Sequence, residues 1–359
     1  MPWACAAPSW DTSSPAAIWT ACTSGSNPFT PVTGTYNGLF YEASVVHQNS
    51  SGSFTITVTS GGKFSGKLQI GGARYSMSGQ FDVTGHANAP VPRPNMNPLS
   101  VVMQLDLTNS TDRIAGTVSD GTWVADLSGD RAVFDGKTSI APQQGQYTMM
   151  IPPSGHVATE PSGFGCGTVS VDKAGRVRLN GNLGDGTKIT PQTTVARNGR
   201  WPIYISIYGG QGSILGWMTF TNGAWEDLNG EMNWFKPASP GAQFYPAGFT
   251  LMTAASGNLY TPPPAGSRVL NFTNGMVVID GGNLGQSITN VVTLNPNNQI
   301  ISSNKTSVSI VLSTGWFKGA VETSATTRQT ISGVLMQKRN AGWGYFLGTN
   351  QSGRALLGP

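Results

Sequence analysis

The chain is short of charge. Of 359 residues, 21 are Lys or Arg and 17 are Asp or Glu, so charged side chains make up 11%, where soluble domains usually carry about a quarter. Glu occurs only five times, and without Glu, Lys and Arg the exposed faces of helices cannot be built, which argues against a helical bundle. There is no basic run or Arg-rich stripe, so the net charge of +4 does not point to a nucleic-acid partner. No apolar stretch approaches the roughly 18 residues of a membrane helix. The start, Met1-Pro2-Trp3-Ala4-Cys5, lacks the basic and apolar regions of a signal peptide. Cys5 and Cys22 are near enough in sequence to close a short loop and Cys166 is left over, a usage that neither demands nor excludes an oxidising compartment. With only His47, His86 and His156, a serine triad or three-histidine zinc site would use nearly every histidine. A Gly-x-Ser-x-Gly elbow, a His-Glu-x-x-His helix, a phosphate-binding loop, an EF-hand and a Cys-x-x-Cys pair are all missing.

What the chain has is Gly (47) and Pro (23), together with Ser, Thr, Asn and β-branched residues, a composition that favours strands and turns. From Gly34 onward, short alternating runs such as Phe54-Thr55-Ile56-Thr57-Val58 are separated by turns such as Gly61-Gly62. They recur every 8 to 14 residues, the pattern of an all-β sandwich or barrel. Inside this pattern a motif repeats, apolar-x-Gly-x-apolar, centred on Gly66, Gly79, Gly116, Gly181, Gly216, Gly230, Gly319 and Gly333. Three pairs stand 13 or 14 residues apart, one hairpin's worth. A mid-strand glycine costs stability and is explained by a sharp bend or a close approach of backbone, as in curved meanders that close into barrels. The apolar residues two positions away share the glycine's face, and that face is the expected core.

The fold expected is therefore all-β, with antiparallel meanders closing into two or three barrel-like units. Residues 1 to 33 read as an irregular leader, 34 to 140 as a first barrel, and 141 to 359 as a larger barrel or two packed half-units with a break near 236 to 265. The runs Gly34-Thr35-Tyr36-Asn37-Gly38-Leu39-Phe40-Tyr41, Gly62-Lys63-Phe64-Ser65-Gly66-Lys67-Leu68, Leu183-Gly184-Asp185-Gly186-Thr187 and Gly344-Tyr345-Phe346-Leu347-Gly348 resemble uncharacterised Gly-rich β modules. Those modules lie at the C-terminal ends of very large secreted or surface proteins of environmental bacteria. The resemblance spans about residues 31 to 359. It implies an all-β fold and an extracellular or cell-surface setting, and it carries over no catalytic residue.

The two x positions of each motif should lie on the opposite face, and most are small or polar. Leu215, Trp217 and Val334 break this rule. Alternation along Trp201 to Tyr208 puts Tyr204 and Tyr208 on that same outer face, with Glu231 and Asn233 on the following strand. Aromatic rings stack on pyranose faces while a carboxylate and an amide fix hydroxyls, so Tyr204, Tyr208, Trp217 and Asn233 are the candidate ligand-binding set. Burial of this face against the C-terminal third would give the same pattern without a ligand. Glu231 and Asp227, an even number apart, are the candidate catalytic pair for glycoside hydrolysis. Asp120, Asp126 and Asp130 bracket a hairpin and offer oxygen ligands to calcium, the one candidate cofactor, although Asp in such places commonly bonds its own turn. Asp185, in Asp-Gly, reads as a hairpin residue. His47 and His86 are candidates to face the first barrel's lumen.

Two function classes follow. The first is an extracellular binding or adhesion module whose surface or barrel mouth holds a glycan or small amphiphilic ligand. The second is a hydrolase without a standard motif, acting on a small ester or lactone in a barrel lumen with calcium, or on a glycoside through Glu231 and Asp227.

Overall fold

The computed structural model describes residues 27–155, 159–302, 306–324 and 326–359, with 55% of the chain in strands and 4% in helix. The first sheet contains β1 (Gly34–Tyr41), β2 (Gly52–Val58), β3 (Lys63–Ile70), β4 (Ala73–Gln80), β5 (His86–Arg93), β6 (Met96–Leu105), β7 (Arg113–Ser119) and β8 (Val124–Arg131). The second contains β9 (Gly145–Ile151), β10 (Gly165–Val171), β11 (Arg176–Asn182), β12 (Lys188–Ile189), β13 (Gln192–Thr194), β14 (Arg200–Ile207), β15 (Gly212–Phe220), β16 (Leu228–Lys236) and β17 (Phe249–Leu259). The third contains β18 (Asn274–Gly281), β19 (Ile288–Leu294), β20 (Ile300–Ser302), β21 (Ser307–Val311), β22 (Trp316–Glu322), β23 (Arg328–Met336), β24 (Ala341–Leu347) and β25 (Ser352–Gly358).

Each sheet is an antiparallel meander whose first strand also pairs with its last, β1 with β8, β9 with β17 and β18 with β25. All three are thus nearly closed barrels. The ladder is open between β4 and β5 in the first, and between β20 and β21 in the third. In the second, the fourth strand is split at Thr190-Pro191 into β12 and β13, both paired with β11. Prolines sit at these openings, Pro90 and Pro92 on β5 and Pro202 on β14, where a missing N–H breaks no ladder.

The glycine-centred motif explains the interiors. All of its flanking apolar residues are at most 4% exposed, from Phe64 and Leu68 in the first barrel to Ile331 and Leu335 in the third. Each barrel is filled by its own cluster of buried side chains, as expected of an eight-stranded barrel whose lumen is just wide enough for them. The glycines sit where strands crowd: a Cβ on Gly216 would lie 2.0 Å from the Glu231 carbonyl oxygen, and one on Gly319 would lie 2.1 Å from that of Ser307. Phe29 and Val32, within the stretch read as a leader, are buried in the first core. Residues 1 to 26, with Cys5 and Cys22, lie outside the described residues, as does His156. Cys166 is buried as a free thiol, and burial pushes its pKa up. Among the described residues no helix is long and apolar enough to cross a membrane.

Buried phenols predict an alkaline limit to stability. Desolvation raises the pKa of Tyr147, Tyr204, Tyr260 and Tyr345 from the usual 10 to about 12. A folded pKa above the unfolded one means that the contribution of these groups is complete below pH 10 and is lost as pH rises from 10 to 12. Phenolate absorbance of the native protein in that window should lag behind that of the urea-unfolded chain. Coincident titration curves would contradict the burial.

Candidate functional site

The outer face of the second barrel meets the first barrel in a groove of about 560 Å³. Its floor is built by period-two alternation on three strands: Leu215 and Trp217 on β15, Glu231 and Asn233 on β16, and Thr250 and Met252 on β17. Register sets Trp217 opposite Glu231, Leu215 opposite Asn233, and Asn233 opposite Met252, so the side chains form one patch. The opposite wall is Tyr41, at the end of β1, with the Ala43–Val46 segment. Leu215 is 1% exposed, whereas Met252 and Val45 are 61% and 58% exposed, so the groove runs from a covered apolar end to an open one. Trp217 and Asn233 are half-buried and Glu231 is exposed.

Charge fixes the tryptophan. The Arg200 guanidinium lies 3.8 Å from the centre of the Trp217 ring, a cation–π contact, and its Nη1 pairs with Asp130 at 3.2 Å. Asp130 is buried, and desolvation raises its pKa against the pull of Arg200 and Arg113. The Tyr41 phenol is raised by burial, with Arg200 opposing and the negative charges of Asp126 and Glu231 adding to the rise. Among the described residues Glu231 is the one carboxylate that lines the groove.

The expected site residues divide. Trp217, Asn233 and Glu231 come together as expected. Tyr204 shares the outer face, opposite Leu215, but it does not line the groove: its hydroxyl accepts a hydrogen bond of 2.6 Å from the Gly71 amide of the first barrel. Tyr208 does not belong to this face. The strand ends at Ile207 and Tyr208 takes a left-handed φ of 52°. Its ring therefore packs on the second core, with its hydroxyl donating to Asp185 at 2.6 Å and accepting from the Trp234 indole at 3.1 Å. Asp185 also closes its own turn through the Thr187 amide. The cover over the patch comes from the first barrel rather than from the C-terminal third.

The structure does not unite Asp227 with Glu231. Asp227 lies one residue before β16, buried, where it accepts from Lys338 Nζ at 2.6 Å and from the Leu259 amide at 2.9 Å. It clamps the second barrel to the third. Neighbouring Glu226 pairs with Arg339 at 3.2 Å. Asp120, Asp126 and Asp130 likewise do not converge, and among the described residues no group of three or more His, Cys, Asp or Glu is placed to hold a metal. Asp120 pairs with Arg93 at 3.0 Å and bonds Thr122 in its turn, contacts that hold its carboxyl down at about 2 against the opposing effect of burial. Asp126 is exposed, and Asp130 lies four residues further along β8, roughly 13 Å at the rise of a strand. His47 and His86 are exposed rather than luminal. Tyr41, Arg200 and Met252 escaped the sequence reading; the only signal for Tyr41 was its parity with Asn37, which places it on the outer face of β1.

No family model matches this chain, and no curated protein resembles it in sequence. Among solved structures it is similar to a protein of unknown function from the DUF3598 family of Nostoc punctiforme. That match has 10% identity and a TM-score of 0.21, and covers 64% of this chain and 97% of the other. It is also similar to the isotype 1 transferrin binding protein B of serogroup B Neisseria meningitidis, with 12% identity and a TM-score of 0.20, covering 90% of this chain and 75% of that one. At such scores a functional reading rests on the site itself.

Proposed function

We propose that the protein is an extracellular binding module that holds a glycan or small amphiphilic ligand in the groove between its first two barrels. The observation that carries this reading is the Trp217 patch: an indole fixed by Arg200, beside an exposed carboxylate and an amide, next to the open apolar residues Met252 and Val45. A pyranose stacks on an indole while Glu231 and Asn233 take its hydroxyls, and an apolar tail lies along Met252. The packed lumens leave the outer surface as the place for a ligand.

Titration calorimetry with dodecyl maltoside below its micelle concentration tests this. Binding is expected, and Glu231→Gln and Asn233→Ala should each weaken it about tenfold, the worth of one or two hydrogen bonds. No heat with the wild-type protein, or wild-type affinity in both variants, would remove the reading.

A further inference from the structure

A second and larger cleft, of about 960 Å³, lies between the outer face of the first barrel's β1 to β4 and the second barrel's β13 and β14. We propose that it binds an acidic polysaccharide, a chain of pyranoses bearing carboxylate or sulfate groups.

The floor is a regular polar array. Register aligns Thr57 with Ser65; in the next row Asn37 faces Thr55 and Thr55 faces Lys67. A third row runs from Ser53 to Gln69 to Arg74. Hydroxyl and amide groups therefore repeat across the strands at about 4.8 Å, close to the length of one sugar unit, and along them with period two. Part of the array is fixed in place: Thr55 Oγ1 donates to Asn37 Oδ1 at 2.8 Å, and Asn37 Nδ2 donates across the barrels to Thr194 at 2.9 Å. The facing wall supplies the half-buried Tyr204 ring and Pro191, surfaces on which pyranose faces pack. Close backbone contact between Gly72 and Gly210 bounds the same side, since a Cβ on Gly210 would stand 2.7 Å from the Gly72 Cα.

Charge decides the ligand class. Among the described residues no Asp or Glu lines the cleft, while Lys67 and Arg74 do. They occupy diagonal positions on β3 and β4, about 7 to 8 Å apart. Both are exposed. The arginines at the other barrel contacts, such as Arg197, Arg200 and Arg339, each hold a carboxylate. Among the described residues Arg74 bonds only the neutral Gln69 amide, at 3.2 Å. Two cations facing hydroxyl-binding side chains, with no protein anion in the cleft, complement a sugar chain that carries its own negative charge. This site shares no lining residue with the Trp217 groove, although it adjoins it: Pro202 stands opposite Trp217 and Tyr204 opposite Leu215.

Calorimetry on the full chain tests the proposal with four probes: an oligogalacturonate, its methyl ester, a sulfated glucan oligomer and an oligothymidylate. The carboxylated or the sulfated chain, whichever charge the cleft prefers, should bind, and more weakly as salt is raised. Lys67→Gln and Arg74→Gln should each weaken binding about tenfold and the double variant about a hundredfold, with Lys67→Arg restoring most of it. Trp217→Ala should leave this affinity within twofold. Absence of binding by both acidic sugars, an unaffected double variant, equal binding of the methyl ester or the oligothymidylate, or equal loss in Trp217→Ala would overturn it.

Discussion

Gly216→Val is expected to destabilise the protein by about 3 kcal/mol or more, the upper range for forcing extra volume into a packed site. Any Cβ at this position would lie 2.0 Å from the Glu231 carbonyl oxygen and 3.0 Å from Met232 Sδ. The first of these is backbone that pairs in the β15–β16 ladder, so relief requires the strands to part rather than a side chain to turn. Ser78, exposed on β4, is the matching control, and Ser78→Val should change stability by no more than about 0.5 kcal/mol. Ser213 would not serve, because it is fully buried and bonds Gln48 of the first barrel. Chemical denaturation of the two variants gives the comparison, and equal midpoints would mean that the mid-strand glycines answer to something other than strand crowding.

The second large effect concerns the junction of the second and third barrels. Lys338, in the short 3-10 turn Gln337–Arg339, reaches Asp227 at 2.6 Å and the Gly223 carbonyl at 2.8 Å. The Asp227 side chain is 8% exposed and that of Lys338 30%. Among the described residues, removing the cation leaves the buried carboxylate with only the Leu259 amide, so Lys338→Met should cost about 3 kcal/mol, the lower end for breaking a buried pair because the lysine is partly solvated. The double variant Asp227→Leu with Lys338→Met should recover much of that loss. Failure of the double variant to recover would show that Asp227 contributes something other than this clamp.

Strand content and core were legible in the sequence because they rest on local periodicity. The apolar residues flanking Gly66, Gly181 or Gly333 had to share a face whatever the rest of the chain did, and they are buried. The two-strand patch of Trp217, Glu231 and Asn233 was legible for the same reason, since regular hairpins fix register. Parity failed where strands end. Tyr208 falls one residue past β14 and Asp227 one residue before β16, and each turns to partners that no spacing announces. The ion pairs were invisible for a different reason: Arg200 meets Asp130 and Lys338 meets Asp227 across more than sixty residues and between barrels. An aspartate cluster around one hairpin thus looked like a metal site while each buried member already had an arginine.

The barrel interiors are packed cores, and the proposed ligand binding belongs to the outer face beside Trp217. Two tryptophans of the second barrel separate these roles, Trp201 at 0% exposure inside and Trp217 half-buried outside. The direct measurement is thermal unfolding and dodecyl maltoside calorimetry on Trp201→Ala and Trp217→Ala together. Trp201→Ala should lose about 3 to 5 kcal/mol, whereas Trp217→Ala should stay within about 1 kcal/mol of wild type, the worth of its contact with Arg200, and lose binding. A Trp217→Ala variant that unfolds like Trp201→Ala, or one that is stable and binds as well as the wild type, would contradict the claim.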